Sequence, residues 1–193
     1  MCELANLLAE IRACTGCGDL PCGPRPVVQA GEAARLLIVG QAPGRKVHET
    51  GIPWNDASGD RLRNWLGLTA AQFYDPARVA ILPIGFRYPG KGRSGDNPPR
   101  RECAPRWHDR MAAQLPAIGL TLLIGSYAQA HYLRDGRKAR LEDTVRAWRD
   151  YLPLGFLPLP HPSPRNQPWL VRNRWFEAEL VPEVRAAIGA LAL

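Results

Sequence analysis

A chain of 193 residues that is 46% hydrophobic can bury roughly 70% of its unfolded surface, so it needs neither a second domain nor a disulfide framework to fold. Its 25 Lys and Arg against 18 Asp and Glu give a net charge of +7, a balance that favours a polyanionic partner. No apolar run reaches the roughly 18 residues of a membrane span, and "MCELANLLAEIRAC" lacks the basic start of a secretory leader, so a cytoplasmic protein away from membranes is expected.

Residues 3–13 place Leu4, Leu7, Leu8 and Ile11 at helical spacing, which predicts a short helix running into the irregular "CTGCGDLPCGPRP" loop. Four short apolar runs follow, "RLLIVG" (35–40), "RVAILPIG" (78–85), "LTLLIG" (120–125) and "LGFLPLP" (154–160), and they read as strands buried on both faces. Helical patterns lie between them: "SGDRLRNWLGL" from a Ser58 cap, "PRRECAPRWHDRMAAQL", "SYAQAHYLR" and "LEDTVRAWRDYL". "NRWFEAELVPEVRAAIGAL" closes the chain. This alternation predicts an α/β fold in three layers, a central, mainly parallel four-stranded sheet flanked by helices, as one domain over residues 1–193. The 19 prolines are scattered between the periodic segments, which predicts rigid loops.

Ligands of such sheets bind beyond the carboxyl ends of the strands, which selects "GQAPG", "GFRYPG", "GSYA" and "HPSPRN". Gly40 to Gly44 form a turn whose exposed N–H groups suit an anion or a carbonyl oxygen, although the same letters also serve as an ordinary turn. Trp54 stands in a loop too polar to bury an indole by accident, so a planar ring can stack there. His161 and Ser163 sit on a proline-stiffened loop after the last strand. Five cysteines in a reducing compartment argue against disulfides and towards a metal, or towards inert buried thiols.

"VGQAPG", "GIPWNDASGDRLRNWLG" and "LPLPHPSPRN", in that order, resemble the uracil-DNA glycosylase superfamily over roughly residues 10–185. "CTGC" and "NPPRRECAPRW" are similar to the cysteine segments of its thermophile-type iron-sulfur branch. The resemblance implies a monofunctional glycosylase of base excision repair, acting on DNA as a monomer. A deaminated base, uracil or hypoxanthine, would leave the stack and have its N-glycosidic bond hydrolysed. It implies that His161 donates to the base oxygen and that Ser163 holds a phosphate, with Trp54 stacking on the base. Ala42, Asn55 and Phe86 complete the expected base pocket. Lys46, Arg165 and Asn166 are expected to contact DNA, within a basic set that includes Arg45, Lys91, Arg93, Arg100, Arg101, Arg172 and Arg174.

The sequence departs from the family pattern at three places. Where the family carries a carboxylate in its first motif, this chain has Gln41 and Ala42; Gln41 can orient a water, and Asp56 either supplies the missing carboxylate or caps the next helix, with Glu49 and His48 behind it. Where the family reads the pyrimidine edge with Asn, this chain has Leu82 or Pro83, and Asn55 either replaces that Asn or stabilises a turn. Phe86 stands in place of the third cluster cysteine. Cys14, Cys17, Cys103 and His108 then suit a structural zinc or an atypical iron-sulfur cluster that the chemistry does not require, with Cys22 in reserve. His131 reads as a core or surface histidine. The alternatives are a DNA-binding protein without turnover, a variant in which His48 captures the base-free sugar, and a metal-stapled protein that binds another protein.

Overall fold

The computed structural model describes residues 3–193 apart from Gly18 and Ser94. Among the described residues, β1 (Leu36–Val39), β2 (Val79–Ile81), β3 (Leu120–Ile124) and β4 (Phe156–Leu159) form one sheet in the order β2-β1-β3-β4. Every pairing is parallel, with Leu36 opposite Val79 and Leu120, and Thr121 opposite Phe156. The sheet is therefore wholly parallel, where the sequence predicted mainly parallel. β4 lies at an edge, which accommodates Pro158 without a lost central hydrogen bond.

Side chains alternate across the pleat, and both faces are covered. Leu36, Ile38, Leu122, Leu157 and Leu159 point into one core with α3 (Ala57–Leu66), α7 (Leu141–Arg146), α8 (Trp148–Tyr151), α9 (Gln167–Arg172) and α10 (Val181–Gly189). Leu37, Val39, Ala80 and Leu123 point into the other, with α1 (Glu3–Ala13), α5 (Cys103–Ala113) and α6 (Gly125–Leu133). Two short helices, α2 (Arg45–Thr50) and α4 (Ala70–Phe73), complete the connections. Truncating a fully buried leucine such as Leu122 in this packing costs about 2–5 kcal/mol.

Two boundaries differ from the sequence reading in ways that shape the site. The second strand was expected to reach residue 85, but it ends at Ile81 because Pro83 has no N–H to continue the ladder. Residues 82–85 instead pin the first loop: Leu82, Ile84 and Gly85 donate to the carbonyls of Ile38, Gly40 and Gln41 at 3.0, 2.9 and 2.9 Å. The cap of α3 is Asp56, whose Oδ1 accepts from Gly59 N at 2.9 Å, and Ser58 lies inside the helix.

Candidate active site

The four strand ends open into one cavity of about 700 Å³, within the size range of small-ligand sites. Its wall takes Gly40 to Gly44 from the β1 end, Pro83 from the β2 end, Gly125 and Ser126 from the β3 end, and His161 from the β4 end. Gln129 ties two of these ends together, donating to the carbonyls of Leu123 and Leu159 at 3.4 and 3.0 Å.

Trp54 has the most constrained backbone in the wall, with φ at +55°, a conformation that costs a non-glycine residue about 1 kcal/mol or more. Two glycines make room for it. A Cβ on Gly59 would stand 1.7 Å from the Trp54 carbonyl oxygen, and one on Gly40 would stand 2.8 Å from the indole. Arg63 Nη1 and the Tyr74 hydroxyl donate to that carbonyl at 3.4 and 3.5 Å. So held, the indole lies against His161, ring centres 5.6 Å apart and tilted by 36°.

The neutral ring of His161 is held in one tautomer. The Ser163 backbone N–H can only donate, so Nδ1 accepts from it at 3.2 Å and a neutral ring carries its proton on Nε2. Burial pushes the imidazole below its ordinary value, against the nearby charges of Asp56 and Asp96. Asn166 Nδ2 donates to the His161 carbonyl at 2.8 Å, Ser163 Oγ accepts from Arg165 N at 3.3 Å, and Arg61 reaches the Ser163 carbonyl at 3.5 Å and Gln167 Oε1 at 3.0 Å. The structure adds Arg61 to this loop; an arginine inside a helical pattern gives no sign in sequence of a contact more than 100 residues away.

Gln41, Ala42, Trp54, Asp56, His161, Ser163, Arg165 and Asn166 are thus gathered around the cavity. Asp56 is the helix cap through Oδ1, and its Oδ2 lies 3.7 Å from where a Cβ on Gly44 would stand. Asp96 Oδ2 lies at the same distance from that point, a carboxylate that the sequence reading passed over. Its only sequence signal is that "GRSGDNPP" continues a loop from a strand's carboxyl end.

Several expected members lie elsewhere. Phe86 is 1% exposed and packs in the second core beside His108, so it does not touch the cavity. Asn55 lies between two cavity residues but is not itself part of the wall. Lys46 is exposed on α2 outside the cavity, among a basic set that is partly neutralised: Arg45 pairs with Glu49 at 2.8 Å and Arg100 pairs with Asp19. His48 is buried, donates from Nε2 to the Cys22 carbonyl at 3.1 Å and lies beside Tyr88, which removes it from any reaction with a sugar in the cavity.

The fourth expected metal ligand also faces away. His108 donates from Nε2 to the Pro83 carbonyl at 3.1 Å and accepts at Nδ1 from the Tyr132 hydroxyl at 2.8 Å. Five residues along a helix turn a side chain by about 140°, so Cys103 and His108 on α5 point in different directions. Cys14, Cys17 and Cys103 do approach one another. Burial chiefly pushes the Cys103 thiol up, with the two other thiols adding to it. Arg87, 3% exposed, bonds to the Cys14 carbonyl, and against burial the Gly16 backbone and the Arg87 charge pull the Cys14 thiol below its ordinary value. Among the described residues no group of three or more His, Cys, Asp or Glu side chains is placed to hold one, so the residues of this corner do not fit a four-ligand centre.

No helix among the described residues is long and apolar enough to cross a membrane. A cavity at the carboxyl edge of a parallel sheet, walled by the Gly40 loop, Trp54 and the His161 loop, is the arrangement that the motif order implied. The family model of the Uracil DNA glycosylase superfamily matches residues 28–185, and the chain belongs to that superfamily.

Proposed function

We propose that the protein is a monofunctional DNA glycosylase that hydrolyses the N-glycosidic bond of a deaminated base, uracil or hypoxanthine, after the nucleotide has left the stack. The observation that carries this reading is the fixed tautomer of His161: a neutral ring with its Nε2 proton available, beside an indole, in a cavity roomy enough for a flipped nucleotide. The base stacks on Trp54 and its oxygen accepts from His161 Nε2. As the glycosidic bond breaks, negative charge grows on the base, and a preorganised donor at that oxygen contributes about 3 kcal/mol to the transition state. Positive charge grows on the sugar, where the carboxylates of Asp56 and Asp96 face it. Ser163 Oγ already accepts from Arg165 N, so its own proton is left to donate to a phosphate, while exposed Lys46 and the Arg165 loop follow the backbone.

The test is base release from oligonucleotides that hold one uracil or hypoxanthine, with the wild type and His161→Ala. The wild type is expected to produce alkali-sensitive sites and the variant to produce them about 10²–10³-fold more slowly. Because burial lowers the His161 pKa, the rate should stay level below the ordinary imidazole value near 6.5 and fall only at lower pH, as the ring gains a proton. Salt-sensitive retention of the same DNA without any release would replace catalysis with binding.

A further inference from the structure

Asp96 lies in the loop between β2 and α5, at the mouth of the cavity. That loop is folded back on itself: Asn97 N donates to the Gly90 carbonyl at 2.8 Å, Asn97 Nδ2 donates to the Pro89 carbonyl at 3.2 Å, and Lys91 and Asp96 form a β-bridge. Burial, together with the nearby Asp96 carboxylate, pushes the Tyr88 phenol up, which places the two side chains side by side. The first loop of the site contributes a space. A Cβ on Gly44 would stand 3.7 Å from Asp56 Oδ2 and 3.7 Å from Asp96 Oδ2, so both carboxylates border the space that the missing side chain leaves open. Gly44 has φ −76° and ψ 173°, backbone angles open to any residue, so its conformation does not require glycine.

The two acids differ in what remains free. Asp56 Oδ1 is committed to the cap of α3, which leaves Oδ2 to orient a water. Asp96 belongs to no helix end, lies beside Tyr88, and is exposed to solvent, which gives a proton a route to leave. Gln41 can hold a water but cannot take its proton.

We propose that Asp96 is the general base of this site, taking the proton from a water held between it and Asp56 over Gly44; this rests on the glycosylase reading above. The water oxygen forms the new bond to C1′ as the bond from C1′ to the base nitrogen breaks. The electron pair of that bond leaves with the base, whose oxygen is held by His161. The water proton passes to Asp96 and then to solvent, and the departed base takes up a proton from solvent.

The experiment is single-turnover base release from a uracil oligonucleotide by the wild type, Asp96→Asn, Asp96→Ala with and without sodium formate, and Gly44→Ala, with DNA retention measured in parallel. Asp96→Asn should slow release by about 10²–10⁴-fold, the range for removal of a general base, while retention changes less than about threefold. Formate should restore part of the rate of Asp96→Ala, which a loop-stabilising role for Asp96 would not allow. Gly44→Ala, which keeps every charge and fills with a methyl the space that both carboxylates border, should slow release at least tenfold. Release by Asp96→Asn within threefold of the wild type, or no rescue by formate, overturns the assignment and leaves the glycosylase reading standing. Failure of the wild type itself to release a base removes that reading, and this inference with it.

Discussion

The cavity and the cysteine corner flank the same sheet, and both bring together side chains from distant parts of the sequence. In the cavity each group is oriented by a second one. His161 is fixed by Ser163 N–H, and the Trp54 backbone by Gly59, Arg63 and Tyr74. Asp56 is fixed by the end of α3, and Asp96 is carried by a loop that Asn97 pins to Gly90 and Pro89. In the corner, Arg87 stands beside the thiols of Cys14 and Cys103, and among the described residues no group of three or more possible ligands is placed to hold a metal. Proximity of reactive residues is common to the two regions; orientation by neighbours separates them, and orientation is what a catalytic site requires.

The comparison can be tested first through His108, which bridges the two regions. It holds the Pro83 carbonyl in the cavity wall and lies beside Phe86, next to Cys103 on the far side. Burial pushes its pKa down to about 4, against 6.5 when unfolded, so the folded state keeps the ring neutral. The stability this confers is fully present above pH 6.5 and is lost as pH falls towards 4, by about 3 kcal/mol at full extent. His131 and His161, also lowered by burial, act in the same direction. Urea midpoints at pH 7 and 4.5 should show a marked acid loss, and a smaller one in His108→Gln whatever its stability at pH 7. Equal losses in the two proteins would mean that His108 does not couple folding to protons.

The next effect belongs to the cavity alone. Trp54→Ala removes the stacking face and should weaken base release by about 1–3 kcal/mol, roughly 5- to 150-fold, with the loss in KM. A fall in kcat alone would place the indole in the chemical step. The smallest effect belongs to the corner. Cys14→Ser with Cys17→Ser should leave base release within twofold, and elemental analysis of the wild type should find zinc and iron well below one per chain. A full equivalent of either metal would show that Arg87 swings out to admit it, and the contrast between the regions would then be one of occupancy.

Much of the cavity was legible in the sequence because its parts lie just after apolar runs. A parallel strand buried on both faces leaves an uninterrupted signal, and the residue that follows it must face the carboxyl edge; His161 after "FLPLP" and Gln41 after "LLIVG" were visible for that reason. Asp96 was not, since it lies 15 residues beyond the end of β2 and reaches the cavity only because its loop folds back. Asp56 both caps α3 and lines the cavity, placements that the sequence could only set against each other, because a carboxylate has two oxygens and only packing assigns them separately.

The sequence by itself determined the α/β alternation, the order of the site loops and the residue types at their tips, since strand burial, turn chemistry and helix capping are local properties of the chain. Tertiary structure decided which of these residues share a space. It turned His108 away from Cys103 through the pitch of one helix, drew Phe86 into the core, and brought Asp96 and Asp56 together at Gly44. Those outcomes depend on the direction in which a side chain leaves its backbone and on how distant segments pack, and neither is encoded by spacing along the chain.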